Sequence, residues 1–235
     1  MIGVFDSGVG GLCSYNELRM LLPREDIVYL ADKSNAPYGT KTKEELIRLV
    51  RADIKRLREY GAEKILVACC TASTVFPFLP ESKDGRIVTM IEPTADYVAE
   101  LEKDEDKPIR ISVIATEHTV TSKAFSGEIK KRLPKALVKE ISAQRLVGLV
   151  EEGSSDGRLS ECAARYLDRL AKTVRADNPE YLILGCTHFS HVEEELKKRL
   201  GEVKTVNPAR LGAIKLSKLI KTEKEAGSGK SLYTE

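Results

Sequence analysis

Short apolar runs alternate with longer stretches of helical periodicity along this chain, and the whole alternation occurs twice. No other feature constrains the fold as tightly, because parallel strands must be joined by a crossover, usually a helix. Val4 and its neighbours form a first strand, and Asp6-Ser7-Gly8-Val9-Gly10-Gly11 turns into a helical pattern over Cys13–Leu22. Ile27–Ala31 is a second strand. Lys43–Tyr60 carries Leu46, Leu49, Val50, Ile54 and Leu57 on one helical face and stops at Gly61. Lys64–Ala68 then leads as a strand into Cys69.

A polar run, Leu101–Lys107, is closed by Pro108, and the pattern begins again. Ile109–Ala115 is a strand, Thr119–Leu133 a turn and helix, Leu137–Ile141 a strand and Arg158–Ala176 a helix. Tyr181–Gly185 is the strand into Cys186. Val4 corresponds to Val113 (113 − 4 = 109) and Cys69 to Cys186 (186 − 69 = 117), the unequal offsets absorbing loop changes. Further on, Val203–Val206 reads as a strand and Ala209–Ile220 as a helix that returns to the first half. The expected fold is therefore α/β, two similar units, each a mainly parallel sheet flanked by helices. Residues 1–95 with 207–235 form one unit, and residues 96–206 the other. The tail 222–235 is polar, contains Gly and Ser, and reads as mobile.

Composition narrows the function classes. Of 235 residues, 38 are basic and 36 acidic, interspersed, for a formal charge of +2, so nothing argues for a nucleic-acid partner. No stretch approaches the roughly 18 apolar residues of a membrane span, and the N-terminus lacks a signal-peptide pattern; the expectation is a cytosolic protein. Five cysteines (Cys13, Cys69, Cys70, Cys162 and Cys186) are an odd number in a chain large enough to fold without disulfides, so they read as free thiols. Gly229-Lys230-Ser231 ends like a phosphate-binding loop, but the motif's first glycine would fall at Lys224 and no strand precedes it. Gly8-Val9-Gly10-Gly11 lacks the spacing of a dinucleotide fingerprint. Cys186, His188 and His191 do not make a standard zinc site, and no metal is expected.

Cys69 in LVACCTAS and Cys186 in LILGCTHF both follow buried strand patterns. Each thiol should emerge at a strand's C-terminal end, where open parallel sheets carry their chemistry. Most free cysteines are inert core residues, and that reading stands beside the functional one. Asp6, at another strand end, could cap the next helix or bind a substrate ammonium. His188, two residues beyond Cys186, could tune or shuttle the thiol proton, or could be a surface histidine without a role. Glu151-Glu152-Gly153 could be a solvated helix end, and Tyr38-Gly39 an ordinary turn.

Taken in order, Asp6-Ser7-Gly8-Val9-Gly10-Gly11, Pro37-Tyr38-Gly39, Ala68-Cys69-Cys70-Thr71-Ala72-Ser73, Ile91-Glu92-Pro93 and Gly185-Cys186-Thr187-His188 resemble the glutamate racemases of the aspartate/glutamate racemase superfamily. The resemblance covers almost the whole chain. It implies two pseudo-symmetric α/β domains with one free amino acid, glutamate, in a cleft between them, and no cofactor. It also implies that Cys69 and Cys186 are an acid/base pair, assisted by Asp6 on one side and by His188 and Glu151 on the other. Ser7, Tyr38, Gly39, Cys70, Thr71, Thr116, Thr119 and Thr187 then fall at substrate-binding positions. A homodimer is left open.

Two thiols suit such a reaction, because inverting an α-carbon requires removing a proton from one face and returning one to the other. The chain departs from the family at Cys70, where an Asn is usual and where a thiol is a poorer hydrogen-bonding group. Ala143-Gln144, Gly148, Ser190 and Asn207-Pro208 depart as well. Three rivals follow: a racemase acting on another amino acid such as aspartate, a non-catalytic amino-acid-binding protein, and a Cys186–His188 hydrolase or transferase. The last leaves Cys69 unexplained.

Overall fold

The computed structural model describes residues 1–102, 108–152, 159–221 and 227–235. The polar linker at 103–107, Gly153, Arg158 and the first part of the tail, 222–226, lie outside the described residues. The chain divides into two compact units, Met1–Thr94 with Pro208–Glu235 and Ala95–Asn207.

The first unit contains β1 (Ile2–Asp6), α1 (Leu12–Leu21), β2 (Ile27–Ala31), α2 (Lys43–Glu59), β3 (Lys64–Val67), α3 (Cys70–Val75) and β4 (Ile87–Val88). Between β2 and α2 lie two 3-10 turns, Lys33–Asn35 and Tyr38–Thr40. The connecting α4 (Ile91–Leu101) leads to β5 (Arg110–Ala115), α5 (Glu117–Ser122), α6 (Ala124–Arg132), β6 (Leu137–Ser142), α7 (Gln144–Glu151), α8 (Glu161–Arg175), β7 (Tyr181–Gly185), α9 (Glu193–Leu200) and β8 (Lys204–Val206). The chain then returns to the first unit as α10 (Pro208–Lys221) and β9 (Ser231–Thr234).

Every strand pairing is parallel, with order β4-β3-β1-β2-β9 in one sheet and β6-β5-β7-β8 in the other. Counting outward from the first strand of each unit, β1 has β3 and β4 on one side and β2 on the other. In the second unit β5 has β7 and β8 on one side and β6 on the other. The two units thus share one topology, and β9 is the extra strand of the first.

Local chemistry explains the element ends. Thr42 and Glu45 form a reciprocal capping box at the start of α2, and Gly61, at φ +87°, follows its end. Ser160 caps α8 by accepting from the Ala163 N–H at 3.1 Å. On α2 the apolar face is buried against the sheet, joining Phe5, Val28 and Leu30 in one core. Each fully buried Leu or Ile there contributes about 1.5–3 kcal/mol. Asp53 is buried on that same face.

Two sequence expectations change, and one short strand goes unread. Where a turn and a helix are expected over 119–133 there are two helices, α5 and α6, separated at Lys123, which adopts the left-handed conformation at φ 56°. The two-residue β4 was not foreseen, since a strand so short leaves no periodicity to read. The tail is not loose at its end: Ser231–Thr234 pairs with β2, residue for residue from Ile27 to Leu30. Tyr233 stacks on Tyr29 at 5.5 Å, while Asp26 accepts from the Ser228 and Lys230 N–H groups and Arg19 donates to the Lys230 carbonyl and the Ser231 hydroxyl. Its polar composition concealed a strand held by hydrogen bonds more than by apolar burial.

Candidate active site

In the first unit, Cys69 follows β3 and caps α3, its sulfur accepting from the Ala72 N–H at 3.5 Å. The Ser7 hydroxyl lies 3.9 Å from the same sulfur. Ser73 accepts from the Met90 N–H at 3.1 Å and donates to the Cys69 carbonyl at 2.9 Å, so the residue is held from both ends. Burial, and then the negative charge of Asp6, push the Cys69 thiol up to about 12; the Ala72 N–H and Ser7 oppose them without prevailing. This thiol is protonated at neutral pH.

Asp6 is fully buried, and Gly11, the N-cap of α1, has no side chain with which to cap it. The Asp6 carboxylate accepts from the Gly8 N–H at 3.0 Å, bending the chain back beside the thiol. Tyr29 donates to the Gly8 carbonyl at 2.8 Å and fixes the other side of that turn. Gly11 is required by close approach, because a Cβ there would stand 2.5 Å from Asp6 Cβ. Cys70 and Thr71 are buried in the first turn of α3. Gly39 and Tyr38 are buried in their 3-10 turn, with the Tyr38 hydroxyl directed at Asp32 (2.6 Å) and Asp53 (2.7 Å). That hydroxyl is committed to carboxylates within the unit.

In the second unit, Cys186 follows β7 and is 7% exposed. Its sulfur lies 3.7 Å from His188 Nδ1, and His188 Nε2 lies 2.9 Å from a Glu151 oxygen. With Nε2 carrying the ring proton and donating it to Glu151, Nδ1 turns its lone pair to the thiol. A buried cysteine, a buried histidine and a half-exposed carboxylate thereby lie in one line of contacts along which a proton can pass. Thr187, which opens the following turn, is buried. Thr116 caps α5 and lies 2.8 Å from the Thr119 hydroxyl, both buried.

The strand registers relate the two sites. β1 and β3 pair with an offset of 62 (Ile2 with Lys64), which carried two residues past the last pair sets Ser7 beside Cys69 (7 + 62 = 69). β5 and β7 pair with an offset of 70 (Ile111 with Tyr181) up to Ala115 with Gly185, so that Thr116 and Cys186 are the residues that follow the last pair (116 + 70 = 186). Each unit ends its central strand pair with a hydroxyl residue opposite a cysteine. They differ in the neighbouring base, Asp6 in one and His188 with Glu151 in the other.

Among the described residues no cluster of His, Cys, Asp or Glu is arranged to hold a metal ion. A surface cavity of about 240 Å³, lined by Arg145, Glu161, Cys162, Arg165, Tyr166 and Arg169, includes neither Cys186, His188 nor Glu151. Sequence reasoning missed Tyr29, Asp32 and Asp53. Only Asp53 left a signal, an acid at a core position of the 46, 49, 50, 54, 57 stripe.

Residues 16–215 match the model of the Asp/Glu/Hydantoin racemase family. The chain belongs to that family. A glutamate racemase of Carboxydothermus hydrogenoformans is 33% identical over 228 residues, which is 96% of this chain and 82% of that one. The family fold is equally evident in solved structures. Glutamate racemase isoform RacE1 from Bacillus anthracis superposes with a TM-score of 0.88 at 28% identity, covering 100% of this chain and 88% of the other. Glutamate racemase from Francisella tularensis in complex with D-glutamate gives 0.86 at 27% identity, covering 99% and 86%. The protein is accordingly an enzyme of the racemase class, an isomerase.

Proposed function

We propose that the protein interconverts L- and D-glutamate without a cofactor, with Cys69 and Cys186 as the two acid/base residues. The observation that carries this reading is the repeated strand-end cysteine opposite a hydroxyl residue, one in each unit, each with its own neighbouring base. The names of the relatives support glutamate as the substrate.

The α-hydrogen of an amino acid is a very weak acid, and its removal leaves a carbanion that only hydrogen bonds and charge can stabilise here. In the proposed cycle Cys186 gives its proton to His188, held by Glu151, and its thiolate takes the α-proton. Cys69, a thiol at neutral pH, delivers its proton to the opposite face. The reverse direction requires a Cys69 thiolate. The substrate's ammonium charge near Asp6 and Cys69 would favour it, offsetting the two influences that push this thiol up. Ser7, Thr71, Thr116, Thr119, Thr187, Cys70 and the Tyr38–Gly39 backbone are the proposed substrate contacts. The D-isomer formed would feed peptidoglycan assembly from the cytosol.

Circular dichroism of glutamate solutions tests this. L- and D-glutamate should each approach the racemate, and Cys69→Ser or Cys186→Ser should lower the rate by at least about 10³-fold in both directions. A single variant within tenfold of the native rate removes that thiol from the mechanism. Interconversion of other amino acids with none of glutamate overturns the substrate assignment.

One observation favours a second reading, an amino acid other than glutamate. Cys70, buried beside the acid/base residue, offers a weak hydrogen-bonding group at a proposed substrate contact. Under the main reading Cys70→Asn lowers the KM for glutamate. A higher KM for glutamate, with a lower one for aspartate, supports the second.

A further inference from the structure

The Tyr38 hydroxyl has one hydrogen and lies within hydrogen-bond distance of two buried carboxyl groups, Asp32 Oδ2 at 2.6 Å and Asp53 Oδ2 at 2.7 Å. One hydrogen cannot serve two ionised acceptors. Asp32 already accepts at its other oxygen from the Ser34 hydroxyl (3.1 Å) and the Asn35 amide (2.9 Å). The arrangement closes only if a second proton is present. We propose that Asp53 is a positioning residue that holds this proton, donates it to Tyr38, and so fixes the 33–40 segment carrying the Tyr38–Gly39 contact.

In that arrangement Asp53 donates to the phenol oxygen, the phenol donates to Asp32, and Asp32 gathers Ser34 and Asn35. One carboxylic proton on α2 therefore organises both 3-10 turns between β2 and α2. The surroundings agree. Tyr38 lies in an apolar core with Leu30 of β2, Leu49 and Val50 of α2, and Val75 at the end of α3. The charged or titratable groups facing Asp53 are Tyr38 from its turn, Asp32 after β2 and Arg56 on α2 itself; among the described residues none from β1 or α3 joins them. Burial first, and then Asp32, push the Asp53 carboxyl up to about 7, against the opposing effects of Tyr38 and Arg56.

The proton is thus lost as pH rises through about 7, leaving two carboxylates at one phenol. The 33–40 segment then loosens, and substrate binding weakens before the chemical step does. Asp53→Asn supplies a donor that cannot ionise and keeps the segment fixed at any pH.

The inference rests on the racemase reading only for its kinetic arm, so the test has a second arm without substrate. Carbon-13 NMR of aspartate carboxyl groups should show one group titrating near pH 7 that is missing from Asp53→Asn. Backbone amides of 33–40 should lose protection between pH 6 and 8 in the native protein, beyond the intrinsic rise in exchange, and not in the variant. In the kinetic arm, the ratio of native to Asp53→Asn KM for D-glutamate should rise about fivefold over that range while the kcat ratio stays flat. An ordinary carboxyl midpoint near 4 for Asp53, or protection independent of pH in both proteins, overturns the inference whether or not glutamate is the substrate. If those two results hold and the KM ratio is constant, the segment does not serve binding and the positioning role is refuted.

Discussion

At the scale of single residues, the two thiols occupy matched places but differ in how they can lose a proton. Cys69 is buried beside a carboxylate and stays protonated, whereas in the proposed cycle Cys186 has His188 as an immediate acceptor and Glu151 to stabilise the imidazolium that results. Glu151→Gln keeps an acceptor for the ring N–H and removes the negative charge. Because Glu151 is half-exposed, water already screens part of that charge. Turnover of glutamate should fall about tenfold with KM little changed, as a smaller version of the loss seen when a triad acid is made neutral; an unchanged kcat would uncouple Glu151 from the thiol. Asp53 makes a prediction about stability. Its carboxyl is raised from 3.8 unfolded to about 7 folded, so the folded state binds more protons between those values and stability falls as pH rises through them. The loss is at most about 4 kcal/mol, at 1.36 kcal/mol per pKa unit. The urea midpoint of the native protein should therefore drop relative to Asp53→Asn between pH 5 and 8, and parallel pH profiles would contradict the assigned proton. The cysteines and His188 stand out in the sequence by motif and spacing, and Glu151 only through the family resemblance. The sequence concealed the Asp32–Tyr38–Asp53 cluster, because those residues meet only after β2 and α2 pack.

At the scale of elements, the long helices were legible because burial on one face imposes a period, as α2 and α8 show, and the central strands because burial on both faces makes them continuous apolar runs, as β1 and β7 show. Elements built by other means were not. Lys123 separates α5 from α6 through backbone conformation where a turn and one helix are expected, β4 is too short for any period, and β9 depends on partners scattered over α1, α2 and the loop after it. β9 closes the β2 side of the first sheet and places Tyr233 on Tyr29, whose hydroxyl in turn holds the Asp6–Gly8 turn. Deleting residues 227–235 removes that support. A loss of about 2 kcal/mol would lower the melting temperature by roughly 4–8 °C in a chain of this size. Racemisation should fall with it even at temperatures where the truncated protein remains folded. Unchanged melting would mean that β9 contributes nothing to the sheet it extends.

At the scale of the whole molecule, one strand topology is used twice, and the chain assigns a thiol to the same strand end each time. The duplication was readable as two unequal sequence offsets, 109 and 117, since loops vary more freely than the strands they join. In the proposed reaction two monoprotic groups, not one, handle the α-proton, and early turnover in deuterium oxide distinguishes the two cases. Start from L-glutamate, stop at a few per cent conversion, and measure deuterium at the α-carbon of both isomers. With two thiols, the D-isomer formed carries solvent deuterium while the remaining L-isomer keeps its hydrogen. Deuterium entering the L-isomer as fast as it enters the D-isomer would show a single base working on both faces, and would rule out the two-thiol mechanism.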